Sequence, residues 1–136
     1  MELLVVVSII GVLMSIILLS FSDTKKDARN ARRETDIKQI GTAMEFYYTD
    51  NGEYIISSSN LCANDSIGKA MLSVPEDPLS NPTIQKCYTW VDNTNLACDG
   101  KFCIYAVLED TGFLAASYKG VKLLDTAPAI GFCECW

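Results

Sequence analysis

Histidine is absent from this chain. Without an imidazole, neither a Ser-His nor a Cys-His nucleophile–base pair can form, which closes the commonest routes to covalent catalysis. Glycine-rich phosphate loops are missing too. The eight glycines are scattered, whereas a phosphate cradle needs several in one tight turn. No CxxC pair occurs, and no internal repeat or low-complexity tract breaks the sequence. The acid pairs Glu76-Asp77 and Glu109-Asp110 fall in loop-like stretches and read as solvated turn residues, not as a general acid–base couple. Taken together, these absences predict that the protein is not an enzyme.

What is present begins at once. Glu2 is followed by an uncharged apolar run over residues 3–21, about the length of helix that crosses a hydrocarbon core of roughly 30 Å. A carboxylate beside such a run must find a partner or stay at the interface, because an ionised group is costly near lipid. Helical patterning continues past the run. Residues 22–49 contain no proline, and Ala28, Ala31, Ile37, Ile40, Met44 and Tyr47 recur at three- and four-residue steps. Asn51-Gly52 supplies the stop, since glycine suits the left-handed residue that ends a helix. Phe46 and Tyr48 lie off the stripe, where they cover its flanks or meet a neighbouring subunit.

After Gly52 the texture changes. Residues 55–86 are rich in Ser, Asn, Asp and Pro, with one short helical stretch expected over residues 66–72. Pro75-Glu76-Asp77-Pro78 and Asn81-Pro82 are turn chemistry. Strand-like runs follow at residues 87–91, 102–108 and 113–117, an antiparallel meander. Residues 122–136 read as a tail clipped back onto the sheet by its cysteines. The predicted fold is α+β. Residues 1–21 form a transmembrane helix, and residues 22–136 a head made of the amphipathic helix (22–51), a loop region (52–86) and a stapled sheet (87–136).

Six cysteines, Cys62, Cys87, Cys98, Cys103, Cys133 and Cys135, supply the staples. An even count in a short chain behind a membrane-targeting run predicts disulfides and an oxidising compartment. A zinc site built from Cys98, Cys103, Cys133 and Cys135 is the rival, disfavoured by the spacing and by the lack of histidine. Cys133 and Cys135 are not expected to pair with each other, because alternate residues of an extended segment point to opposite faces. The pairing is otherwise left open. Asp92, Asn95 and Asp99 offer hard oxygen ligands and form a weak calcium candidate, although a plain polar turn fits the spacing better.

Charge is uneven. Residues 23–50 hold six basic and six acidic side chains, and residues 51–136 hold five basic and ten acidic. No direct nucleic-acid binding is expected of so acidic a head. The cluster Lys25, Lys26, Arg29, Arg32 and Arg33 just after the apolar run, read alone, places this side in the cytoplasm. The cysteines place it outside.

The segment from Met1 to Leu13, with Glu2 at its start, resembles the N-terminal helix of type IV pilins and type II secretion pseudopilins. Asp36-Ile37, Ile40 and Asp50-Asn51-Gly52-Glu53-Tyr54 resemble the end of the pseudopilin stalk. Pro75-x-Asp77-Pro78 with Asn81-Pro82 resembles the proline loop of the major pseudopilins. The resemblance covers residues 1–82 well and the strands in outline. It implies single-pass insertion in the cytoplasmic (inner) membrane with the head outside the cytoplasm, and a leader upstream whose basic residues account for the misleading charge signal. It also implies polymerisation through Leu3, Val7, Ile10, Gly11, Met14 and Ile17, with Glu2 pairing with a neighbour's N-terminal amine.

The implied partners are copies of the chain, other pilins or pseudopilins, the bilayer, a prepilin peptidase with its methylation step, and an inner-membrane assembly platform. The sequence also departs from the family. Leu19 stands where a helix-kinking proline is usual, Ile55 replaces a proline after Tyr54, and Leu79-Ser80 replaces Trp-Gly in the proline loop. The acidic C-terminal segment that helps hold calcium in major pseudopilins is not recognisable, so no cofactor is expected with certainty. The resemblance favours a secretion pseudopilus. The alternatives are an external pilus for adhesion, motility or DNA uptake, and a monomeric membrane-anchored binding domain.

Overall fold

A computed structural model describes residues 2–81, 83–95, 98, 100–110, 112–129 and 135–136, with the side chains of all of these except residues 17–20 and 22. The first element, α1 (Glu2–Asn51), is one helix of 50 residues, about 75 Å long at 1.5 Å per residue. Proline is absent from it. Hydroxyls within the apolar stretch turn back on the backbone: Ser8 Oγ donates to Val5 O and Ser15 Oγ to Val12 O, each at 2.7 Å. Neither hydroxyl therefore needs water. The stop falls where the sequence places it. Gly52 takes a left-handed φ of 78°, its N–H donates to Tyr48 O at 2.8 Å, and Asn51 Nδ2 donates to Tyr47 O at 2.8 Å. Two carbonyls that the helix end leaves open are thereby satisfied.

Four strands follow: β1 (Thr89–Trp90), β2 (Cys103–Val107), β3 (Phe113–Ser117) and β4 (Gly120–Leu124). They form one antiparallel meander in the order β1-β2-β3-β4. Alternation divides their side chains. Ile104, Ala106, Leu114 and Ala116 turn to α1 and join Ile37, Ile40 and Met44 in the main core, while Cys103 and Ala115 face the other way, against Val91 and Cys135. At Gly41 the helix lies close against the sheet, and an added Cβ would stand 3.3 Å from Ala116 Cβ.

A long N-terminal helix packed on a four-stranded antiparallel sheet is the α+β, pilin-like arrangement expected from the sequence. Three local readings are corrected. Residues 66–72 form a tight turn, not a helix: Ile67 and Met71 exchange backbone hydrogen bonds of 2.8 and 3.2 Å, and Gly68, at φ 53°, reverses the chain between them. The supposed tail begins with a strand, because Ser117 pairs with Gly120 across a two-residue turn and β4 completes the sheet. On the helix, Ala28 and Ala31 are exposed. The covered stripe starts at Arg33 and runs through Asp36, Ile37, Ile40 and Met44.

Candidate functional site: the bare helix and its junction with the head

Over residues 2–16 every described side chain of α1 is exposed. Leu3, Val7, Ile10 and Met14 are 75, 58, 49 and 56% exposed. Beside Gly11 a Cβ would meet no atom within 4 Å. The Ile17 side chain lies outside the described residues. Glu2 sits in the first helical turn and is exposed. Among the described residues no helix is long and apolar enough to cross a membrane. The described side chains run uncharged and mostly apolar only from residue 3 to residue 16 before the first gap, short of the roughly 20 that a span takes.

The head grips the helix first at an ion network. Arg33 is 3% exposed and donates twice to Asp77, from Nε to Oδ2 at 2.7 Å and from Nη2 to Oδ1 at 3.1 Å. Its third nitrogen donates to Glu109 Oε1 at 3.3 Å. Arg29 adds a two-pronged bond to Glu109, with Nη2 to Oε2 at 2.6 Å. Asn30 Oδ1 accepts the Glu109 N–H at 3.0 Å. One turn further on, the Tyr88 hydroxyl donates to Asp36 Oδ2 at 2.6 Å.

Two loops distant in sequence, the proline loop at Asp77 and the β2–β3 loop at Glu109, are thus fastened to one side of α1. Bidentate guanidinium–carboxylate geometry is the strongest form of such a bond. Burial alone would raise the Asp77 carboxyl, but the Arg33 hydrogen bonds, the Leu79 N–H and the Arg33 charge outweigh it and hold it below the usual carboxylate range. Glu109 is lowered chiefly by its bond to Arg29. The Tyr88 hydroxyl is pushed up by desolvation and then by Asp36. Higher on the head, Tyr54 is raised to about 12 by desolvation and by its bond to Glu45.

This network corrects the sequence reading twice. Asp77 and Glu109 are not solvated turn acids, and two members of the basic cluster, Arg29 and Arg33, are spent inside the head rather than at a membrane face. Pairs 44 and 80 residues apart leave no local pattern in the sequence. Asn93 carries no such pattern either. It is 4% exposed, accepts the Ser57 N–H and Trp90 Nε1–H, and donates to Ile55 O and Lys101 O, tying the loop region to the sheet.

The cysteines form disulfides. Cys62 joins Cys87, and Cys103 joins Cys135, with Cα atoms 4.3 and 5.4 Å apart. Cys98 is disulfide-bonded as well, and Cys133 lies outside the described residues. Thiolates are therefore not left to hold zinc at Cys98, Cys103 or Cys135, and Cys135 pairs with the sheet instead of with Cys133. At the calcium candidate, Asp92 Oδ1 accepts the Thr94 N–H at 2.8 Å and hydroxyl at 2.7 Å. The backbone carbonyl of Asn95 accepts the Cys98 N–H, and Asp99 lies outside the described residues. Among the described residues no group of three or more His, Cys, Asp or Glu side chains is placed to hold a metal ion. In comparisons with known proteins, no family model, no curated protein and no solved structure matches the chain.

Proposed function

We propose that this chain is a structural subunit, a pilin or pseudopilin, that polymerises through the lower half of α1 into a helical fibre. One observation carries the reading. The helix is continuous over 50 residues, yet among the described residues the head covers it only from Arg29 upward, leaving an exposed apolar rod of a kind that water does not tolerate. Such a rod needs lipid or other rods. Residues 3–21 store the subunit in the cytoplasmic membrane as a single pass, and on extraction they become the core of the fibre. The disulfides support a head outside the cytoplasm.

In this reading Glu2 pairs with the N-terminal amine of a neighbour and sets axial register, offsetting a charge otherwise buried among apolar helices. Partners are copies of the chain and other pilin-like subunits, the bilayer, a prepilin peptidase and an inner-membrane assembly platform. The role is structural, not catalytic. The proline loop favours a periplasmic secretion pseudopilus. A head stapled by disulfides equally suits an external pilus for adhesion, motility or DNA uptake, with no direct grip on nucleic acid from so acidic a surface.

The test is assembly of full-length Glu2→Ala in its own membrane. Insertion is expected to persist while fibre yield falls; normal fibres sink the proposal. Cysteines placed singly along residues 3–16 are expected to cross-link copies into a ladder, whereas a monomeric anchored binding domain gives none.

A further inference from the structure

Asparagine followed by glycine occurs once in the chain, at Asn51-Gly52, and the fold puts the pair at the upper end of α1. Both residues are exposed. A Cβ at Gly52 would meet no atom within 4 Å, so neither a side chain of its own nor a neighbour shields the Gly52 nitrogen. The other asparagines are followed by Ala, Leu, Asp or Thr, whose side chains crowd the same approach, or by Pro, which has no N–H.

Two hydrogen bonds hold the pair. The Gly52 N–H donates to Tyr48 O at 2.8 Å, and Asn51 Nδ2 donates to Tyr47 O at 2.8 Å. Attack by the Gly52 nitrogen on Asn51 Cγ closes a five-membered ring, and Nδ2 is the group that attack expels. Adjacent carbonyls of one turn therefore restrain nucleophile and leaving group alike. Helix ends fray and open locally, and opening of this last turn releases both groups together.

We infer that Asn51 is a self-modification site, a deamidation gated by the last turn of α1. The Gly52 nitrogen bonds to Asn51 Cγ and gives its proton to water; the Cγ–Nδ2 bond breaks, and ammonia leaves with a proton from solvent. The succinimide then adds one water at either carbonyl, giving aspartate or isoaspartate. One water is consumed, one ammonia is released, and nothing is oxidised or reduced. The product cannot remake the cap. A carboxylate replaces the donor that faced Tyr47 O and joins the exposed Asp50 and Glu53 at the negative end of the helix dipole, where anions are unfavourable. Loosening stops at Tyr54, which is 8% exposed and packs on the rings of Tyr48 and Phe102 at centroid distances of 4.6 and 4.8 Å. The site stands whether or not the chain builds a fibre.

The test incubates the full-length chain in membrane vesicles at mildly alkaline pH and follows position 51 by peptide mapping and mass spectrometry. Aspartate and isoaspartate accumulating there ahead of acid at Asn60 or Asn64 are expected; an intact Asn51 beside converted Asn60 or Asn64 overturns the site. Hydrogen exchange of the Gly52 N–H reads the gate. The ratio of denatured to native deamidation rates is expected to match the Gly52 protection factor within about tenfold, or about 1.4 kcal/mol. A native rate equal to the denatured one while Gly52 stays protected overturns the gate and leaves the site. Asn51→Gln keeps an amide donor but closes a slower six-membered ring, and is expected to abolish acid formation at position 51. Asn51→Asp is expected to lower Gly52 protection about threefold, as for an anion at a helix C-terminus; unchanged protection overturns the loss of the cap.

Discussion

The lower and upper halves of α1 are one unbroken helix with two different surroundings. Below Arg29 every described apolar side chain points into open space, and the Gly11 position meets nothing. Above it, Ile37, Ile40 and Met44 are fully buried, and Gly41 is pressed to the sheet. The sequences of the two halves differ accordingly, apolar all round in the first and apolar along one stripe in the second. What separates them is not a break in the backbone but the Arg29–Arg33 turn, where ion pairs begin. Helix stability in the upper half therefore comes from tertiary packing, and in the lower half from whatever medium or neighbour replaces it.

The sharpest way to test that contrast is to remove Arg33. Arg33→Ala strands the buried Asp77 carboxylate and is expected to cost the head about 3–5 kcal/mol, as for other broken buried pairs. Denaturant unfolding followed by tryptophan fluorescence measures it, and an unchanged midpoint breaks the contrast at its boundary. Next come matched truncations. Ile40→Ala is expected to cost about 2–5 kcal/mol through lost burial and a residual cavity, whereas Ile10→Ala is expected to leave head unfolding unmoved and to act only on the proposed assembly. Equal effects on the head would unite the two halves.

Acid gives a smaller and graded effect. Asp77 and Glu109 have folded pKa values below their ordinary ones. Their contribution is present above the ordinary carboxylate range near pH 4 and is lost as pH falls through the folded values. Thermal midpoints of the head are expected to drop over that window, less steeply in Asp77→Asn. The alkaline limb runs the other way: Tyr54, raised to about 12, stabilises the head below pH 10 and loses its contribution as pH rises toward 12, a loss absent in Tyr54→Phe. Smallest of all is Gly52→Ala, expected to cost about 1 kcal/mol because alanine resists the left-handed φ of 78°. Its effect is confined to the end of the upper half.

Much of this was legible in the sequence. The helix, its end at Asn51-Gly52 and strands β2 and β3 follow from period and punctuation, which are local signals. Strand β4 escaped because Tyr118-Lys119 carries no strong turn chemistry of its own; only Gly120, at φ 113°, marks the reversal. The apolar spacing of residues 66–72 imitates a helix, while Gly68 turns the chain through a backbone angle that composition does not reveal. The site at the junction was least legible. Arg33 meets Asp77 across 44 residues and Arg29 meets Glu109 across 80, and partners so far apart are fixed by topology, not by pattern.

The Cys62–Cys87 bond has a consequence for load. A subunit pulled by the lower end of α1 while its head is held passes tension up the helix and, once the helix detaches, into the chain after Gly52. Extension then runs only as far as Cys62, where force crosses the sulfur bridge to Cys87 and enters the sheet directly at β1. The chain between them, a sequence separation of 25, is cut out of the force path. Were it free to pay out, it would add about 80–90 Å of slack at 3.3–3.6 Å per residue. The bridge makes the head short-travel and stiff, a coupling that in the proposed fibre would hand axial pull from one subunit to the next with little give.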